Sequence, residues 1–255
     1  MIALLGSTGM IGSDFRGRFL RPSRMVCDAY VEKSVDSYLR DNHIDLLINC
    51  VGFCGHRDTS GTKIHEDNVF ATRNIAVACR NNGTRLIHFT TSIAGEGSTY
   101  TRCKQYSEDI IRDYCEDYSL VRIPWMIGLN KDKGFLPIIL DHIDNDKELT
   151  IYQEQGSVSY TRDVAKYIME HLYDLGKEEV VANSGVVSRQ EWAEETARIL
   201  GRGLKIKISE GMKKTKQFSG LDGKLRPWQE ALRACLCDKG YSLQNLNYSG
   251  TAKEF

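Results

Sequence analysis

An apolar run, Ile2-Ala3-Leu4-Leu5, breaks at once into glycines spaced G-x-x-G-x-x-G at Gly6, Gly9 and Gly12. That order predicts a strand, a tight turn and the N-terminus of a helix. One glycine lets the turn adopt φ > 0, the next lets a pyrophosphate approach the main chain, and the third lets helix pack on strand. The first helical N–H groups then face an anion. Glycine-rich loops are common, and it is the position directly after an apolar strand that favours a nucleotide.

The segment Ser13 to Leu20 is expected to continue as that helix, with Ile11, Phe15 and Phe19 as its buried stripe. A second strand ending in a ribose-binding acid should follow about 20 residues past the glycines. Here Arg21-Pro22-Ser23-Arg24 leads directly to Met25-Val26-Cys27-Asp28, so that strand is either very short or cut away. Arg16, Arg18, Arg21 and Arg24 gather where a 2′-phosphate would lie, which favours NADPH, with NADH as the alternative.

Beyond this point strands and helices alternate. Val31 to Asn42 reads as a helix, Ile44 to Gly52 as a buried strand ending in a small-residue turn, and Phe53 to Lys63 as a loop. Asn68 to Asn81 reads as a helix capped by Gly83, Arg85 to Ser92 as a strand closing on three hydroxyls, Tyr100 to Tyr118 as a long helix, and Ser119 to Ile123 as a strand stopped by Pro124. This rhythm predicts an α/β fold, a Rossmann-type doubly wound parallel sheet with right-handed crossovers. After Pro124 it loosens into shorter elements: helices over Phe135 to Ile143, Val164 to Asp174, Arg189 to Leu200 behind Ser188, and Pro227 to Asp238, and strands over Leu149 to Tyr152, Val180 to Ala182 and Lys205 to Ile208. The expected division is a cofactor domain over 1–124, with elements from about 150–184 returning to it, and a small C-terminal α/β substrate lobe over 125–255. The polar tail from Ser249 to Phe255 is expected to fray.

Lys plus Arg equals Asp plus Glu at 34 each, so no net field draws the chain to nucleic acid or an anionic membrane. No apolar run approaches the roughly 18 residues of a membrane span, and Met1 leads straight into the first strand. A cytoplasmic protein with a small-molecule partner is the expectation. The eight cysteines lack paired C-x-x-C spacing and read as free thiols, and Cys235 and Cys237 without nearby histidines make no zinc site, so no metal is expected.

Tyr100-Thr101-Arg102-Cys103-Lys104 sets a phenol and an ammonium on one helical face, immediately after the strand that ends in Thr91 and Ser92. A lysine cation and a positive nicotinamide ring both favour phenolate, moving a tyrosine from its usual pKa near 10 toward acid and base work at neutral pH. On its own Y-x-x-x-K is common on solvated helices, and placement is what gives it weight here. Cys103 lies within the motif on another face of the helix.

Together these residues resemble the extended branch of the short-chain dehydrogenase/reductase superfamily. The resemblance spans most of the chain: Gly6, Gly9 and Gly12; Asp28 where the family touches adenine; Asn49-Cys50-Val51-Gly52 like its N-A-A-G turn; Asn68 in an N-V-x-x-T-x-N helix start; Thr91 and Ser92; Tyr100 and Lys104. Arg122-Ile123-Pro124-Trp125, Tyr160-Thr161-Arg162-Asp163-Val164-Ala165 and Gly185-Val186-Val187-Ser188 are similar to the dTDP-4-dehydrorhamnose reductases and equally to UDP-4-keto-6-deoxyglucose 3,5-epimerase/4-reductases. The resemblance implies NADPH-dependent hydride transfer to the C4 ketone of a nucleotide sugar. Tyr100 would protonate the alkoxide, Lys104 would hold the nicotinamide ribose, and Ser92 or Thr91 would bond the carbonyl oxygen. Main-chain groups of Gly9, Met10 and Ile11, with Thr8 beside them, would bind pyrophosphate, and Val51, Gly52, Phe53 and Asn68 would line the cofactor. Relatives pair through helices flanking the sheet, so a homodimer is an expectation.

Relatives place some tens of residues between strand-end hydroxyl and tyrosine, whereas only Ile93 to Thr99 stand here. An epimerase would need a second acid and base; Cys54 and His56 are the candidates by position, against a reading as a packed thiol and a surface histidine. Trp125 and Arg226 are candidate substrate contacts, and Lys205, Lys207, Lys213, Lys214 and Lys216 with Arg226 and Trp228 are a candidate clamp on a nucleoside diphosphate. A 4-reductase is the leading expectation; the rivals are the bifunctional enzyme and a non-catalytic NADP(H)-sensing regulatory protein, which the intact Tyr100 and Lys104 disfavour.

Overall fold

The structure is a computed structural model that describes residues 1–53, 61–92, 97–129, 134–209 and 223–244. The chain runs β1 (Ile2–Leu5), α1 (Glu32–Asp41), β2 (Leu46–Asn49), α2 (Thr62–His65), α3 (Ala71–Asn82), β3 (Arg85–Thr91), α4 (Thr99–Tyr114), β4 (Tyr118–Ile123) and β5 (Trp125–Ile127). It continues through α5 (Phe135–Asp144), β6 (Glu148–Tyr152), β7 (Gln155–Gly156), β8 (Val158–Tyr160), α6 (Thr161–Glu170) and β9 (Glu178–Val180). Last come β10 (Asn183–Ser184), β11 (Val187–Ser188), α7 (Arg189–Leu200), β12 (Lys205–Ser209), β13 (Leu225–Pro227) and α8 (Trp228–Asp238).

Strands β1, β2, β3, β4 and β9 form one sheet in that order, every pair parallel. All four residues of β2 are buried, as a strand covered on both faces requires. Side chains alternate: Ala3, Leu47 and Leu86 pack with Val35, Leu39, Ile75 and Ile111 of α1, α3 and α4. Leu4, Ile48, Ile87 and Val121 point the other way, to Phe15 and to Val164 and Ile168 of α6. A third apolar cluster lies in the C-terminal part, around Trp192, with Ile139, Ile151, Leu232 and Leu236.

The expected helix from Ser13 to Leu20 is not there. The structure has a single 3-10 turn over Gly12–Asp14, after which Phe15 is already extended at ψ 126° and Gly17 takes φ +114°. By Leu20 the chain is back beside β1, where Leu4 N–H donates to the Leu20 carbonyl and Leu20 N–H donates to that of Ile2. A left-handed glycine and so early a return leave no length for a helix. Phe15 and Phe19 still enter the core, edge to face at 6.0 Å. The second strand is indeed cut away, reduced to one parallel bridge between Leu20 and Ala3 on the edge of β1 opposite β2. The chain therefore steps one way to Leu20 and then the other way to β2, so the topological switch point of a doubly wound sheet survives between β1 and β2 with almost nothing on one side.

Other boundaries shift as well: α6 runs Thr161–Glu170 and β9 Glu178–Val180, both earlier than expected. α4 stops at Tyr114, because Cys115 is extended and Tyr118 already belongs to β4, so the expected helix to Tyr118 is one turn too long. Helical structure begins before Asn68: α2 passes through a π turn over Glu66–Phe70 directly into α3. Gly83 caps α3 at φ +61°, and Ser188 and Glu191 form a reciprocal capping box on α7. None of the described cysteines is in a disulfide, no described helix is long and apolar enough to cross a membrane, and no group of metal-binding side chains gathers among the described residues.

Candidate active site

The switch point is closed from below by backbone against backbone. Gly6 sits at φ +71°, and a Cβ there would lie 2.6 Å from the Cys50 carbonyl carbon and 2.8 Å from the Val51 nitrogen. A Cβ on Gly12 would lie 2.3 Å from the Gly6 oxygen. These two glycines are needed to fold the turn. Gly9 has more room, with the Gly6 oxygen 3.2 Å and the Cys50 oxygen 4.0 Å from a built Cβ. Thr8 is exposed, and Met10 and Ile11 are half-buried above the turn. With the helix shortened to one turn, what remains for an anion is the turn's own main chain rather than the field of a full helix.

The turn after β2 is held by side chains from three elements. Asn49 accepts from Val51 N–H through Oδ1 at 2.9 Å and offers its amide to His88 Nδ1 at 2.9 Å, both side chains buried. That bond makes Nδ1 an acceptor, and burial, reinforced by the nearby Lys104 cation, holds His88 well below the usual imidazole range, so the ring is neutral. Asn68, placed by the π turn, grips Phe53 at both ends: Nδ2 donates to the Phe53 carbonyl at 2.7 Å and Oδ1 accepts from Phe53 N–H at 3.4 Å. Its amide also reaches the Ile64 carbonyl at 2.9 Å. Asn68 thus shapes the wall that Val51, Gly52 and Phe53 form. π turns are frequent at functional sites for this reason, since the extra residue re-aims one side chain.

α4 carries Tyr100 and Lys104. Ser98 caps it, accepting from Thr101 N–H at 3.3 Å, so Tyr100 stands in the first turn, half-buried, and Lys104 lies one turn deeper on the same face. Lys104 is only 6% exposed and donates to the Phe89 carbonyl at 3.0 Å. A Cβ built on Gly52 would come 3.3 Å from Lys104 Nζ and 3.1 Å from Asn68 Oδ1, so the bare glycine lets the ammonium reach the wall. Two residues past Phe89 come Thr91 and then Ser92, whose N–H donates to the Ile123 carbonyl at 3.2 Å. The Thr90 hydroxyl donates to Glu108 on α4 at 2.8 Å. Cys103 lies on a different face, fully buried and 3.5 Å from His65 Nδ1.

Other expected residues have protein partners. Asp28 accepts from Tyr30 N–H and pairs with Arg24, whose guanidinium stacks 4.4 Å from the Tyr30 ring. Arg226 forms a two-pronged pair with Asp163 at 2.8 and 2.7 Å, which Asn183 shares, so its guanidinium is a brace within the C-terminal part. Trp125 is half-buried two residues past Ile123. Cys54, His56, Lys213, Lys214, Lys216 and the tail from Ser249 lie outside the described residues.

Three features escaped the sequence reading. Asp14 of the short turn accepts from Thr161 at 2.6 Å and faces Arg162, which pairs with Asp238 at 2.5 Å, tying the glycine turn to α6 and α8. Glu108, fully buried, joins Thr90, Arg112 and Arg122; its spacing of four from both Lys104 and Arg112 was the available signal. Arg189 stacks on Trp125 and Phe135, which no local pattern announces.

Comparison with known proteins gives this geometry a family. A family model described as the RmlD substrate binding domain matches residues 1–202. The chain belongs to that family. A curated relative, dTDP-4-dehydrorhamnose reductase of Mycobacterium tuberculosis (strain CDC 1551 / Oshkosh), is 24% identical over 223 residues, covering 74% of this chain and 71% of the relative. Among solved structures, dTDP-4-dehydrorhamnose reductase from Bacillus anthracis str. Ames in complex with NADP superposes with a TM-score of 0.83 at 16% identity, covering 93% of this chain and 98% of that one. UDP-glucose 4-epimerase of Thermus thermophilus in complex with NAD gives 0.73 at 16% identity, with 94% and 99% covered. These likenesses confirm the Rossmann-type parallel sheet for this RmlD-family chain. The residues at its switch point fit the nicotinamide ribose of a dinucleotide: a bare edge at Gly52 and a buried ammonium behind it.

Proposed function

We propose that this chain is an NADPH-dependent reductase of a nucleotide-linked 4-keto-6-deoxy sugar of the dTDP- or UDP-linked type. The observation that carries the reading is the bond from Lys104 to the Phe89 carbonyl, which ties the helix that carries Tyr100 in its first turn to the strand that carries Thr91 two residues further on. Gly9, Met10 and Ile11 would hold the pyrophosphate, Val51 to Phe53 would line the nicotinamide half, and Lys104 would bind its ribose. A reduced nicotinamide in that place supplies a hydride to the carbonyl carbon. Tyr100 gives its proton to the carbonyl oxygen as charge develops there, Thr91 or Ser92 donates a hydrogen bond to the same oxygen, and Lys104 favours the phenolate left behind.

The deciding experiment follows nicotinamide absorbance with dTDP- and UDP-4-keto-6-deoxyglucose, each with and without a separate 3,5-epimerase. Turnover only when the epimerase is added is expected for a 4-reductase. Turnover without it would transfer the reading to a bifunctional enzyme, and binding of NADPH without any turnover would transfer it to a sensor.

Preference for NADPH rests on the remnant of the second strand. Arg21 directly follows Leu20, donates to the Phe15 carbonyl at 2.9 Å, and with Arg24 brings cations to the end of the remnant where a 2′-phosphate lies in doubly wound folds. Binding of NADPH about tenfold or more tighter than NADH is expected, reduced toward parity in the Arg21→Gln/Arg24→Gln double variant. Tighter binding of NADH by the wild-type protein, in an intrinsic-fluorescence titration, would reverse the cofactor assignment.

A further inference from the structure

Arg189 opens α7 with its guanidinium inside an aromatic cluster. Its central carbon lies 3.7 Å from the Trp125 ring centroid, 4.6 Å from that of Phe135 and 5.9 Å from that of Trp192. The nearest carboxylate oxygen, on Glu154, stands 3.7 Å from Nε, too far for a hydrogen bond, and among the described residues no side-chain or carbonyl acceptor bonds the two terminal nitrogens. Those nitrogens are not sealed in the core either, since the side chain keeps 21% of its surface open. Burial draws the group down to about 10, which leaves it a cation at neutral pH. A planar cation that has given up most of its water, with several donors unused, is prepared for an anion.

Its position tells which anion. Trp125 lies two residues past Ile123, whose carbonyl holds Ser92 at the hydroxyl-bearing end of β3. Phe135 follows Gly134, where a Cβ would come 3.8 Å from the Met10 side chain above the glycine turn. The stack is thus linked to the strand end through the segment that carries Trp125 and to the glycine turn through the start of α5. The α7 N-terminus is already satisfied by the capping box of Ser188 and Glu191, so the attraction is that of the side chain and not of the helix.

Resting on the reading proposed above, we infer that Arg189, held flat by Trp125 and Phe135, receives the diphosphate of the nucleotide-sugar substrate through its two terminal nitrogens. Glu154 is then the competitor that the diphosphate displaces from the guanidinium. A fork of this kind meets phosphate oxygens two at a time, which a lysine cannot do.

The test titrates the full chain with dTDP, thymidine and NADPH, read by tryptophan fluorescence, for which Trp125 is a built-in reporter. Arg189→Gln is expected to weaken dTDP about tenfold or more while leaving thymidine, NADPH and the melting temperature unchanged. Arg189→Lys should recover only part of the loss, and Glu154→Gln, which keeps the cation, should tighten dTDP. Equal dTDP binding by Arg189→Gln and wild type would overturn the inference. A loss confined to NADPH would also overturn it, by giving the residue to the cofactor. If Arg189→Gln proves unstable, Glu154→Gln decides alone, and unchanged or weaker dTDP binding there counts against the proposal. Failure of the parent reading looks different: wild type would then bind neither dTDP nor UDP, and both proposals fall together.

Discussion

Tyr100→Phe is expected to lower kcat for keto-sugar reduction by about 10²–10⁴-fold, with NADPH affinity and stability left essentially intact. The asymmetry follows from position. Tyr100 is half-buried in the first turn of α4, and Phe keeps its ring while removing the one atom that can deliver a proton. Lys104, which is buried and bonded to the Phe89 carbonyl, is undisturbed, so the wall at Gly52 keeps its shape. Single-turnover hydride transfer measured beside NADPH titration separates the chemical step from binding. A kcat unchanged by this substitution would move proton delivery to Thr91, Ser92 or solvent, and the mechanism would have to be rebuilt around them. By contrast, Lys104→Met removes a buried cation whose neighbours are arranged for it and should damage both cofactor binding and rate.

The sequence carried a good deal of this, and the physical reasons for its limits are specific. Strand and helix alternation from Val31 to Ile123 was readable because each strand is a short apolar run buried on both faces and each helix has one apolar stripe. Ser188 and Gly83 marked helix ends because capping is local chemistry. Ile11, Phe15 and Phe19 keep helical spacing after Gly12 while serving a different geometry: all three pack on the same cluster, Ile11 from the 3-10 turn and Phe15 and Phe19 from the extended return around Gly17. Periodicity reports burial, and it cannot tell a helix from a loop that happens to bury the same positions. The Tyr100 and Lys104 pair was legible because four-residue spacing on a helix is itself a contact. The clamp of Asn68 on Phe53, the Asn49 and His88 pair, and the stack of Arg189 join residues far apart in sequence, so only the fold brings them together.

Glu108→Ala is expected to destabilise the protein by about 3–5 kcal/mol, well above what an exposed ion pair contributes. Glu108 has no solvent exposure, yet it sits between two guanidinium groups, with Arg122 at 2.5 Å and Arg112 at 3.1 Å, while Thr90 donates to its other oxygen at 2.8 Å. Removal leaves Arg122, whose side chain is only 18% exposed, without its inner partner and leaves the Thr90 hydroxyl facing a cavity. Glu178 cannot compensate, because it already bonds both arginines from the outer side. Removing Arg122 together with Glu108 should therefore cost less than the two single losses summed, since the charge that each strands is gone. The two arginines hold the Glu178 carboxyl below the usual carboxylate range, so its share of the stability is present above pH 4.5 and fades as pH falls through the lowered value. Urea unfolding of Glu108→Ala, Arg122→Ala and the double variant at neutral pH measures the coupling. Additive losses would mean that α4, β3 and β4 are joined by apolar packing alone, whereas strong coupling identifies this ion cluster as what fixes the helix one turn below Lys104.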